Sequence, residues 1–170
     1  VRCLCVVISD ITKHSIFLEE MLSSICYSLA DPGLSKAEPA TCMRNLFSVG
    51  LLCRYYDFDL KQSANTWKQR KNSKSQSEEV YNLLHGYLDF PNPSICVKAM
   101  QGLGHFFVRY PSFMMKCNSL FKKIFQNPTH ICKVHLLKNF VEFLAQEQQT
   151  LEGNSINVQP IRDNTDSGPR

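Results

Sequence analysis

Apolar side chains return at intervals of three and four through most of this 170-residue chain, and no stretch of useful length alternates with a period of two. That spacing lines one face of an α-helix and cannot line one face of a strand, so the expected fold class is all-α. The first stripe is Leu18, Met21, Leu22, Ile25 and Leu29, stopped by Asp31-Pro32-Gly33, through which no helix continues. The second runs Met43, Leu46, Val49, Cys53 and Tyr56 after Pro39, which suits a first helical turn. Val80, Leu83, Leu84, Tyr87 and Leu88 form the third, opened by the capping-type Ser77. Pro91-Asn92-Pro93 interrupts, and Val97, Met100, Leu103 and Phe107 resume. A fifth helix starts at Pro111-Ser112 with Met114, Cys117, Leu120, Phe121 and Ile124. After Asn127-Pro128-Thr129 a sixth carries Ile131, Val134, Leu137, Val141 and Leu144.

Within residues 1–148 these helices form three pairs, at about 16–56, 77–110 and 112–147, with a basic insertion at 61–76. Pro39, Pro93 and Pro128 are each followed five residues later by a base, namely Arg44, Lys98 and Lys133. The stripes of the first two such helices superpose at a shift of 54 residues, Gly50 falling on Gly104; the third superposes at 34 or 35, slipping by one residue relative to its Pro. Helix, Pro-bearing turn and helix at a period of roughly 35–40, with a base early in the second helix, is the signature of HEAT-type repeats. A compact helical bundle is the alternative architecture. One helix pair cannot bury its own apolar face, so neighbouring repeats of a longer chain are expected partners at both ends. Gly50, Gly102 and Gly104 sit inside helices, where each costs about 1 kcal/mol against Ala, and so mark places where helices approach closely.

With 44% apolar and 20% charged residues the chain can bury an ordinary core. No apolar run approaches the roughly 18 residues of a membrane span, so no membrane association is expected. The chain opens on Val1 without an initiator Met and with only Cys3–Ile8 as an early apolar run, which reads as a piece of a longer protein. Its eight cysteines stand inside apolar runs, as in Leu4-Cys5-Val6 and Ile25-Cys26-Tyr27, and not at loop positions. They read as buried, reduced packing residues of a reducing compartment. Residues 91–148 hold seven Lys/Arg against two Asp/Glu, whereas residues 1–90 are balanced at ten each. The later portion is thus the basic one and favours an anionic partner.

The insertion contributes Lys61, Lys68, Arg70, Lys71 and Lys74, no acid, and Trp67 as its one aromatic. It reads either as a solvated connector or as a strip that follows a phosphate backbone with Trp67 free to stack. On the second helices Arg44, Lys98, Lys133 and Lys138 add further candidates for DNA contact. Residues 149–170 lack periodicity and are rich in Asn, Asp, Gly and Pro, which reads as a linker. Asp57 and Asp59 stand where a helix is ending, and the expected role is termination of that helix and capping of the next segment. His130-x-Cys132-x-x-His135 has ligand residue types, but 130 and 132 project about 200° apart on a helix, so no metal site is expected. No nucleotide loop, nucleophile elbow or metalloprotease motif is present, and no cofactor or catalytic residue is assigned.

The stretch Leu46-Phe47-Ser48-Val49-Gly50-Leu51-Leu52-Cys53-Arg54-Tyr55-Tyr56-Asp57-Phe58-Asp59 resembles a segment in the C-terminal HEAT-repeat region of the Nipped-B-like cohesin loaders, the sister-chromatid-cohesion loading subunits. The likeness continues in Lys98-Ala99-Met100-Gln101-Gly102-Leu103-Gly104-His105-Phe106-Phe107, in Tyr110-Pro111-Ser112-Phe113-Met114 and in Leu136-Leu137-Lys138-Asn139-Phe140, in the same order over residues 40–147. The resemblance implies a hook-shaped HEAT solenoid of the nucleus. It also implies a scaffold that is not itself an ATPase, contacts DNA and the cohesin complex subunits, loads cohesin onto chromatin and stimulates the cohesin ATPase. A transport or regulatory HEAT adaptor that binds acidic peptides and never meets DNA is the rival reading, with a thiol or zinc enzyme a third.

Overall fold

The computed structural model describes residues 15–59 and 75–155, and among them regular structure is helical throughout. Eight α-helices and one 3₁₀ turn follow in order: α1 (Ser15–Ala30), α2 (Leu34–Ala37), α3 (Pro39–Tyr55), α4 (Gln76–Gly86), the 3₁₀ turn (Tyr87–Asp89), α5 (Pro93–Arg109), α6 (Ser112–Lys116), α7 (Asn118–Gln126) and α8 (Lys133–Ser155). The all-α helical-repeat class read from the periodicity is the class observed.

Local chemistry sets most boundaries. Pro39 and Pro93 occupy the first helical turn of α3 and α5, where the missing N–H removes no bond, and the Asn92 side chain accepts from the Ser94 amide at 3.0 Å. For α4 the capping residue is Ser75, whose Oγ accepts from the Glu78 amide at 3.2 Å, and not Ser77, which is buried in the first turn. Asp59 supports the same terminus by accepting from the Ser77 amide at 3.3 Å. Asp57 closes the preceding segment by accepting from the Asp59 amide at 3.0 Å and the Tyr110 hydroxyl at 3.1 Å. The two acids therefore terminate one helix and cap the next, as expected of them. The fifth stripe is broken: at Cys117 the backbone tightens into a 3₁₀-type bond from the Cys117 amide to the Met114 carbonyl, which separates α6 from α7. The Cys117 thiol is fully buried there and lies 3.3 Å from the Tyr81 hydroxyl, a tertiary contact that periodicity cannot foresee.

The helices pack in two layers. In one, α3, α5 and α8 lie side by side and parallel, because contacts between them rise together along each chain direction: Gly50 meets Gly102 and Arg54 meets His105, while Gln101 meets His135 and Gly104 meets Asn139. In the other, α1 packs on α3, α4 with its 3₁₀ turn packs on α5, and α7 packs on α8. Cross-links join successive pairs within this second layer. The Tyr87 hydroxyl donates to the Leu29 carbonyl at 2.6 Å, and Tyr81 reaches Cys117. The core between the layers holds Leu22, Leu46, Leu84, Met100, Leu103 and Phe106, each at most 3% exposed.

The glycines read as close-approach points are such points. A Cβ on Gly50 would run into the backbone of Gly102, and one on Gly102 would stand 2.6 Å from the Leu46 carbonyl oxygen. Gly104 makes room for the Asn139 side chain, whose amide donates to the Met100 carbonyl at 2.8 Å. Gly50 and Gly104, superposed by the repeat, thus do the same job. Each admits the next second helix.

The third pair departs from the repeat. Pro128 does not open α8, because the turn at Asn127 intervenes, with Asn127 accepting from the Thr129 amide at 3.1 Å and the helix starting only at Lys133. This is the physical source of the one-residue slip. The helix then runs to Ser155, past residue 148 where its periodic part was expected to end. Its inner side is Leu136 and part of Phe140, continued by Cys132 just before its first residue; the stripe read from the sequence, Val134, Leu137, Val141 and Leu144, faces outward at 48–68% exposure.

Candidate anion-binding face on the second helices

Among the described residues the layer of α3, α5 and α8 has one side uncovered, and polar residues cross it from helix to helix. Lys98 in α5 donates to Gln101 Oε1 at 2.9 Å, and its ammonium lies 5.6 Å from the centre of the Phe47 ring of α3. An ammonium can only donate, so Lys98 fixes the Gln101 amide with its oxygen inward and its nitrogen toward α8. That nitrogen meets His135 Nδ1 at 3.1 Å, which makes Nδ1 the acceptor and places the proton of the neutral ring on Nε2. Burial, then the charges of Lys138 and Lys98, hold the His135 pKa below its usual 6.5. Lys98, His135 and Lys138 therefore share one electropositive patch bridging two helices.

Further along the same face Arg54 of α3 meets His105 Nδ1 of α5 at 3.1 Å and forms an ion pair with Glu142 of α8. His105 stacks edge-on against Phe47, with ring centres 5.2 Å apart. Its pKa is also lowered, chiefly by burial, with Glu142 opposing and Arg54 assisting. Beside this cluster Arg54, Val108, Glu142 and Gln146 line part of an open trough of about 430 Å³. One end of the face is thus charge-neutralised internally. The other, around Lys98 and Lys138, has no carboxylate within ion-pair distance among the described residues, where Arg54, Arg109, Lys116 and Lys123 each have one.

Of the bases singled out in the sequence, Lys98 and Lys138 come together here and Arg44 is exposed on α3. Lys133 points elsewhere: its ammonium donates to the Phe125 carbonyl at 3.1 Å, satisfying the end of α7. Lys61, Lys68, Arg70, Lys71 and Lys74, with Trp67, lie outside the described residues. Gln101, His105 and Arg54 were missed, because what assigns them is a neighbour 34 to 88 residues away. The 54-residue repeat shift was the one available signal, since it sets α3 beside α5.

The His130, Cys132 and His135 side chains do not converge. Cys132 is buried at 1% exposure, His130 Nδ1 accepts the Cys132 amide at 3.2 Å, and His135 is taken by Gln101. The six described cysteines are free thiols, with burial raising Cys26 to about 12 and Cys132 to about 11. Thiols so shifted are poor nucleophiles at neutral pH. No described helix is long and apolar enough to cross a membrane.

Comparison of the sequence with curated proteins finds relatives of one kind. The zebrafish Nipped-B-like protein A is 30% identical over 120 residues, covering 68% of this chain, and the human Nipped-B-like protein is 31% identical over 115 residues, covering 65%. The chain is related to the Nipped-B-like proteins. A second zebrafish relative, Nipped-B-like protein B, aligns over 89% of the chain at 26% identity. The chain spans only 5%, 4% and 6% of the lengths of these three Nipped-B-like relatives. No family model matches it, and no solved structure is significantly similar.

Proposed function

We propose that this chain is a segment of a cohesin-loading factor. In this reading it is a non-enzymatic HEAT scaffold of the nucleus that binds cohesin subunits and DNA. Through the whole protein it promotes cohesin loading onto chromatin and sister-chromatid cohesion, and stimulates the cohesin ATPase. The relatedness to Nipped-B-like proteins over most of the chain carries the reading. The unneutralised pair Lys98 and Lys138 supports the DNA part, since two bases on adjacent parallel helices suit successive phosphates better than they suit base edges.

A salt titration on duplex DNA tests it. Binding by the chain should fall with a log–log slope of about −0.9 for each phosphate neutralised. Lys98→Glu with Lys138→Glu should weaken binding on all sequences alike and flatten that slope, and a second variant replacing Lys68, Arg70, Lys71 and Lys74 by Glu tests the insertion separately. Curves indistinguishable from the parent remove the region concerned from the interface. No binding by the parent at low salt removes DNA altogether and favours the acidic-peptide adaptor.

The pH dependence has a definite sign. His135 has a lowered pKa in the free protein, so it is neutral at pH 7, and a phosphate beside it favours the imidazolium. Binding then takes up a proton, and affinity should rise as the pH falls below about 6.5. In His135→Gln that rise should be absent. For the free protein the sign is opposite: His105 and His135 are both depressed, so their stabilising contribution is present above about 6.5 and is lost as the pH falls through their folded values.

A further inference from the structure

The ion pair between Arg54 and Glu142 has the make-up of a filled anion site. Arg54 stands on α3 and Glu142 on α8, and the pair closes over α5 between them, inside the row of second helices. The guanidinium is the sequestered partner, its side chain 22% exposed against 44% for Glu142. It is fixed from two further directions, since Nη1 lies 3.1 Å from His105 Nδ1 and the Tyr55 ring centre lies 5.8 Å from Cζ. A guanidinium only donates, so His105 accepts through Nδ1 and orients the charge without cancelling it. The carboxylate of Glu142 supplies the counter-charge.

That counter-charge is exchangeable. A partly exposed pair between two long side chains contributes little to stability, so losing it to a ligand costs the fold little. The open trough of about 430 Å³ beside it gives Glu142 room to turn away and brings an entering anion past the amides of Gln146 and Gln149. These stand four and seven residues after Glu142, on the same side of α8. The position is also in line with the Lys98 patch. Lys98 and His105 are seven residues apart on α5, which puts them on the same side of the helix and about 10 Å apart along its axis. Along one strand of a duplex that is about three phosphates, at roughly 3.4 Å each. A phosphate also offers the guanidinium fork the same two-point contact that a carboxylate does.

We propose that Arg54, oriented by His105, is a second phosphate-binding position on this face, held in the free protein by the carboxylate of Glu142, which a phosphate of the DNA backbone displaces. This rests on the DNA reading above and lengthens its contact from Lys98 and Lys138 to the other end of the face. Glu142 then sets how much of the face an anion can use: with it in place one anion must be exchanged for another, and without it a phosphate is neutralised outright.

The test compares Glu142→Gln, Glu147→Gln and the double variant Arg54→Gln with Glu142→Gln in the 170-residue chain, by salt titration on duplex DNA and by calorimetry with inorganic tripolyphosphate. Glu142→Gln should tighten both by about two- to fivefold at low salt. It should also steepen the duplex slope by about 0.9, one phosphate more. Glu147→Gln removes the same charge from an exposed position of the same helix and should change neither. In the double variant the gain should vanish; the ion pair is already broken in Glu142→Gln, so comparing these two isolates the guanidinium from any role of the pair in folding. No gain in Glu142→Gln overturns the proposal, and with duplex binding by the parent intact it does so while the DNA reading stands. A gain that survives Arg54→Gln, or that Glu147→Gln reproduces, is a general charge effect and overturns it as well. A gain on tripolyphosphate that needs Arg54, in a chain whose parent and variants all ignore duplex, upholds the phosphate position and removes DNA as its source.

Discussion

Gly50→Ala is expected to destabilise the fold by about 3 kcal/mol or more, although Ala favours a helix over Gly by about 1 kcal/mol. The added methyl would meet the carbonyl and Cα of Gly102, which are main chain and cannot swing aside. The only relief is separation of α3 from α5, and those two helices make the most extensive contact in the structure. Separation would strip cover from Leu46 and Val49, both fully buried on α3, and would stretch the contact between Arg54 and His105. Two other glycines calibrate the result. At Gly104 the obstruction is the Asn139 side chain, which can rotate away at the loss of its bond to the Met100 carbonyl, so Gly104→Ala should cost less. At Gly86, the last residue of α4, nothing stands in the way of a methyl, and Gly86→Ala should be neutral or stabilising by up to about 1 kcal/mol. Urea unfolding of the three variants checks the order. A Gly50→Ala loss no larger than that of Gly104→Ala would show that the α3–α5 seam is loose enough to yield.

The same two glycines show how far a sequence of this kind can be read. Helix type, the order of the helices and the close-approach points are all local or repeat-encoded. The 54-residue shift that lays Gly50 on Gly104 reports a real equivalence, since each admits the next second helix. What could not be read is what neighbours decide. On α8 the strongest apolar stripe, Val134 to Leu144, faces outward because Cys132, Leu136 and Asn139 are the residues that fit the α5 surface, where Gly104 leaves room for an amide and not a methyl. A periodic stripe gives the angular position of an apolar face but not which body it turns toward. Lys133 illustrates the same point. It occupies the repeat position of Lys98, but the turn at Asn127 starts α8 late, so its side chain reaches back to α7 instead of across the second-helix face. The candidate site was half legible for this reason: Lys98 and Lys138 stood out as bases, whereas Gln101 and His135, which order the patch, carry no signal until α5 and α8 are side by side.

Phe106→Ala should be comparably damaging, at about 3–5 kcal/mol, and through the other direction of packing. Phe106 is completely buried on the side of α5 that faces the first-helix layer. Its ring lies 4.8 Å from Tyr110, 5.3 Å from Phe113 of α6 and 6.4 Å from Tyr81 of α4. These residues are joined in turn by Tyr81 to Phe113 at 5.1 Å, so one side chain ties the second and third pairs together between the layers. Aromatic pairs of this kind contribute about 0.5–1.5 kcal/mol each beyond the area they bury. Phe106→Leu separates the two contributions, because it keeps most of the apolar volume and loses the ring contacts. Phe125→Ala is the control, since Phe125 is 37% exposed and stacks on Phe140 at the rim. The expected order of loss by thermal unfolding is Phe106→Ala, then Phe106→Leu, then Phe125→Ala. Against a typical total stability of about 5–15 kcal/mol, the first should leave a large unfolded fraction on mild warming. Tyr110, next to this cluster, donates to Asp57 and accepts the Phe58 amide at 3.1 Å, so collapse of the cavity would also loosen the end of the segment after α3. The Lys98 patch is carried by the same helix α5 and needs that helix held in place. Phe106→Ala should therefore weaken anion binding at 37 °C while leaving every patch residue intact, and a loss of binding without any loss of stability would contradict this order of cause.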